Sequence, residues 1–132
     1  MAAVLAGVGS VATNLIVLFV GKPFVGLTTD LAPLSLGPVI GWSVIGVVGA
    51  TIVFALVRKY SKNPDNTFLT IAGIVLVLSF IPDILIKNVT SGPFAGATWG
   101  AIALLMLMHV VAAAFVYFFF LHKVRPTIAK SA

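Results

Sequence analysis

The chain has 132 residues, 61% of them apolar and only 8% charged, and its mean hydropathy is +1.20. Ordinary globular domains carry about 25% charged and about 45–50% apolar residues, so the surplus apolar surface has no water-compatible place to go and a soluble core is excluded. The net charge of +5 comes from eight Lys and Arg against three Asp, held in a few short segments that report topology and form no basic patch for nucleic acid.

Four transmembrane helices are expected in chain order. About 81 apolar residues suffice for four spans of roughly 20 residues each. The first span covers about 3–20; its start lacks the basic n-region of a signal peptide, and Gly21-Lys22-Pro23 ends it. The segment 24–37, FVGLTTDLAPLSLG, is of intermediate polarity and is read as a loop on the membrane surface or dipping partly into it. Span two covers about 38–57, opened by Pro38, a good first-turn residue. The basic loop from Arg58 to Asn66 follows, then span three over about 67–87 with Asp65 or Asn66 as its N-cap. Residues 88–97 form a short turn, span four covers about 98–121, and a basic tail closes the chain.

The loop between spans two and three and the tail hold Arg58, Lys59, Lys62, Lys123, Arg125 and Lys130, whereas the opposite side has only Lys22 and Lys87. Six against two places both termini in the cytoplasm of a multi-pass protein of the cell membrane, read here as a bacterial inner membrane. Tyr60 and the Phe-rich run 115–120 then lie near the inner interface, with Trp42 and Trp99 near the outer one.

Polar groups inside a span are costly, so they are where function is sought. Asp83 is the one acidic residue within a predicted span, roughly 6 Å below its outer edge, and it follows the helix-bending Pro82. One reading makes it a proton- or cation-binding carboxylate; the plainer one pairs it with Lys87 at i+4. His109 lies roughly 16 Å into span four, near the midplane, where an interhelical hydrogen bond is its expected role. No metal or cofactor is expected: one chain offers neither a second embedded histidine for haem nor further ligands at that depth, and without cysteine there is no thiolate.

Small residues mark packing faces. Span one presents Ala3, Gly7, Ser10 and Asn14 on one stripe, span two Trp42, Gly46, Gly49 and Val53, and the entry to span four Gly92, Gly96 and Gly100. Asn14, Trp42, Ser43, Ser79 and Asp83 all fall in the outer half of their spans, with His109 at the floor of that layer. If these faces point inward they line a polar cavity, open to the outer side and shut below by the Phe-rich inner half.

The runs PLSLGPVIGWSVIGVVGATIVFALVRK, LVLSFIPDIL and LMLMHVVAAAFVY resemble a family of small bacterial four-span membrane proteins known only as a domain of unknown function. The resemblance implies a four-helix fold and no assigned activity. Three functions are weighed. The favoured one is a structural or accessory subunit that self-associates or docks on a larger membrane complex. Next comes a small carrier or ligand-binding bundle with a proton, cation or amphipath site built from Asp83, His109, Asn14, Ser79, Ser43 and Trp42. An enzyme is third, since acid–base chemistry would rest on Asp83 and His109 alone.

Overall fold

The protein, seen in a computed structural model that describes residues 1–26 and 31–122, is an all-helical four-helix bundle with no strand among those residues. Helix α1 spans Ala2–Gly21, α2 Leu36–Tyr60, α3 Pro64–Leu85 and α4 Trp99–Tyr117. Each is long and apolar enough to cross a membrane. Lys123, Arg125 and Lys130, on which half of the basic count rests, lie outside the described residues, as do 27–30 of the first loop.

Local chemistry sets the helix ends. Pro64 stands in the first turn of α3, where its missing N–H leaves no donor unsatisfied. The helix therefore begins three residues before the expected Thr67. Asn63 takes the cap position, rather than Asp65 or Asn66, and Asp65 lies in the first turn, where its charge suits the helix dipole. Thr98 is the cap of α4, its Oγ1 accepting from Ala101 N at 3.1 Å. After Tyr117 the helix widens into a π-helical turn over Phe118–His122.

The helices pack in ring order, α1 beside α2 and α4, and α3 beside α2 and α4. Two apolar clusters divide the bundle. Toward the end that carries Met1 and His122, Ala6, Val47, Phe54, Phe68, Val116 and Phe120 pack together. The Phe54 ring stands edge-on to Phe68 and Phe120, at centroid distances of 5.0 and 4.9 Å. Toward the loop end, Leu18, Leu104, Leu105 and Met108 pack with Val25, Leu31 and Leu34 of the first loop, which is thus folded into the core.

That loop is also stitched to the second one. Ala32 N donates to Pro93 O at 2.9 Å, and Thr98 Oγ1 donates to Val25 O. Gly92 and Gly96 sit in this turn at φ +79° and +81°, a left-handed backbone region that glycine enters without steric cost. Gly96 is therefore a turn residue and not a helix-packing one, because Pro93 and the turn keep the chain from becoming helical before Trp99. Gly100 lies within α4, and a Cβ there would stand 3.2 Å from the Val25 backbone.

Candidate functional site

The polar residues come from all four helices, and two interhelical pairs organise them. On α1, Ala6, Ser10, Asn14 and Leu18 recur every four residues and form the buried stripe. From that stripe Asn14 Nδ2 donates to Ser43 Oγ on α2 at 3.0 Å. Across the bundle, His109 Nδ1 on α4 lies 3.1 Å from Asp83 Oδ2 on α3. The side chain facing Asp83 is thus an imidazole from the next helix and not Lys87 of its own helix. Nδ1 also lies 2.9 Å from Leu105 O, one turn back. Both neighbours are acceptors and the nitrogen has at most one hydrogen, so only one of them is served at a time.

Between these pairs lies a cavity of about 450 Å³. Its walls include Asn14, Trp42, Ser43, Ser79, Asp83 and His109, six side chains that the sequence places in one layer and the fold brings to one space. Val39, Leu105, Met108 and Ala112 supply apolar wall, and Pro33 and Phe94 from the two stitched loops border the loop end. Trp42, 71% exposed, and the exposed Pro82 form the rim. The cavity thus reaches the surface between α2 and α3, and Phe94, 45% exposed, lines it at the loop end as well. Ser79 stands on the wall, but its hydroxyl is occupied by its own helix, donating to Leu76 O at 2.6 Å.

Not every expected residue joins this arrangement. Gly7 touches α2, its Cβ position lying 3.8 Å from Val47 Cγ1, and Ser10 is fully buried. Gly46 and Gly49 face open space, with no neighbour within 4 Å of an added Cβ. They do not pack helices within this chain, because α2 turns Val47 and Ser43 inward instead. The sequence reading passed over Gly9 and Gly21, where a Cβ would stand 2.5 Å from the Phe115 ring and 2.4 Å from Leu104.

Among the described residues, three buried side-chain polar atoms have no hydrogen-bond partner: Ser10 Oγ, Asn14 Oδ1 and Asp83 Oδ2. Two of their residues line the cavity. The ring N–H is fixed in the imidazole plane and is directed at Leu105 O, so Asp83 Oδ2 lies close to Nδ1 without receiving a hydrogen bond from it.

The model of a family of unknown function (DUF6069) matches residues 1–126. The chain belongs to that family. No curated protein and no solved structure matches it. In this DUF6069 chain the cavity itself is the feature that bears on function. A concave, mostly apolar space with a few convergent polar groups is the usual form of a small-molecule site, and such sites run from roughly 300 to 1,000 Å³. Among the described residues no group of three or more His, Cys, Asp or Glu could hold a metal ion.

Proposed function

We propose that this protein is a small ligand-binding membrane bundle, taking up an amphipathic molecule between its four helices. One observation carries the reading. The cavity of about 450 Å³ is lined by two interhelical polar pairs that the helices could have spared themselves by burying apolar residues there. Polar groups held inside a span are expensive, and a bundle needing only to cohere could do so on small residues and close packing.

Native mass spectrometry of the protein extracted into mild detergent tests it. We expect a small-molecule adduct, retained from the membrane or added as a probe, that is lost in Ala112→Phe, which fills the cavity wall, and kept in Val75→Phe on the exposed face of α3. Absence of any adduct, or equal loss in both variants, would remove the reading.

A second reading is a subunit that self-associates or docks on a larger membrane complex. The outward glycines Gly46 and Gly49 on α2 favour it, since they leave room for another helix to approach. A strictly monomeric particle without a co-purifying partner in mild detergent counts against it. Under either reading the basic count supports both termini in the cytoplasm, which makes the stitched loops the outer end of the bundle.

A further inference from the structure

We propose that the cavity's ligand is an alkyl amine: a cationic, hydrogen-bond-donating head on a hydrocarbon chain, entering from the lipid between α2 and α3. The inference rests on the ligand-site reading above and names its chemistry.

The polar atoms of the cavity are unevenly matched. Asn14 gives its amide N–H to Ser43, and its Oδ1 is left without a donor. The Nδ1 hydrogen of His109 is directed at Leu105 O, a carbonyl already held in the α4 backbone ladder, and Asp83 Oδ2 is left without a donor. Acceptors are therefore in excess, and Asp83 is only 8% exposed, with His109 as its one ionic neighbour among the described residues. A buried carboxylate is expensive unless paired and hydrogen-bonded. An ammonium head answers both deficits: it brings up to three N–H donors and a positive charge.

The remainder of the cavity fixes the other half of the molecule. Val39, Leu105, Met108, Pro33 and Phe94 offer apolar contact. A bare inorganic cation would leave most of a volume of about 450 Å³ unfilled, whereas an alkyl chain fills it at no polar cost. A carboxylate head would add an acceptor where acceptors already exceed donors, beside the charge of Asp83. The rim bears on the route. Trp42 stands exposed there, and an aromatic face attracts an organic cation passing it. A mouth between two membrane-spanning helices opens onto lipid, where a long-chain amine partitions.

The test compares dodecylamine, dodecanol and dodecanoate, three probes with the same chain length, titrated against the purified full chain in a neutral-headed detergent. Bound probe is counted by native mass spectrometry. Dodecylamine should bind at least about tenfold tighter than dodecanol, with dodecanoate weakest, the margin expected of a charge-assisted contact over a neutral one. Asp83→Asn should erase that margin while leaving dodecanol binding unchanged. Should that variant not fold, the headgroup series on the unaltered chain decides alone. Dodecanol or dodecanoate binding as well as the amine overturns the amine proposal and leaves the ligand site standing. Binding of none of the three, with Ala112→Phe indistinguishable from the parent, takes down the site reading as well.

Discussion

At the scale of single residues, glycine has two opposite uses in this bundle. A Cβ on Gly9 would stand 2.5 Å from Phe115 Cε1, so α1 and α4 meet closely only because the side chain is missing. Gly46 has nothing within 4 Å. Gly9→Ala should therefore cost about 1–3 kcal/mol through overpacking. Gly46→Ala should cost nothing, or gain slightly from the better helix former. Thermal unfolding of the two variants in one detergent checks this, and equal losses would contradict the assignment of faces. Ser43→Ala removes the acceptor of the Asn14 amide and should lower stability by about 0.6–1.7 kcal/mol, the measured range for hydrogen bonds between membrane helices. None of these distinctions is legible in the sequence. Gly46 and Gly49 have the spacing of a packing stripe, yet whether a glycine faces a neighbour depends on where the next helix stands. The same holds for Asp83: Lys87 at i+4 is the only partner visible along the helix, and His109 becomes visible only once α4 is placed beside α3.

At the scale of elements, the four spans were legible because hydropathy alone delimits them, and the structure moves their ends by only a few residues. Their faces were not legible. A helix that is apolar on every side carries no amphipathic stripe to say which side is buried, so polar residues and their depth were the sole guides. Helix α3 illustrates the result. Its buried residues are Phe68 near one end and Asp83 near the other, with Ile74, Val75, Val77 and Leu78 exposed between them. It is held at two points. Phe68→Ala should release the end near the α2–α3 turn, broadening the distance distribution between spin labels on α3 and α4, while Val75→Ala leaves it unchanged. The chain has no cysteine of its own, so labelling sites can be introduced singly. The loop end is fastened differently. Thr98 both caps α4 and donates to Val25 O. Thr98→Val should cost about 0.5–2 kcal/mol, the range for losing a cap. It should also speed amide exchange in the turn that carries Gly92 and Gly96; unchanged exchange there would show that the stitch does not hold the loop.

At the scale of the whole molecule, four helices long and apolar enough to cross a membrane would return the chain to the side on which it began, which is the arrangement proposed above. The charge bias is the ground on which that side is proposed to be the cytoplasmic one. A reporter fused after Ala132 should thus be active only if it requires cytoplasmic folding, and activity of a periplasmic reporter would reverse the orientation. The layering legible in the sequence, polar groups in one half and phenylalanines in the other, describes a division the fold makes physical: cavity at the loop end, aromatic cluster at the terminal end. What linear depth could not convey was which side chains meet across the bundle: α2 and α3 touch at Phe54 and Phe68, whereas Trp42 and Pro82 stand exposed where they line the cavity.

The interlocked rings of Phe54, Phe68 and Phe120 have a consequence for traffic across the bilayer. Among the described residues these rings fill the bundle below His109, so a guest held in the cavity as proposed is expected to depart by the way it arrived. On the ligand-site proposal, the expected behaviour is that of a reservoir or receptor, filling and emptying with the local concentration of its guest. In sealed proteoliposomes it should retain that guest saturably while passing no net flux from one compartment to the other.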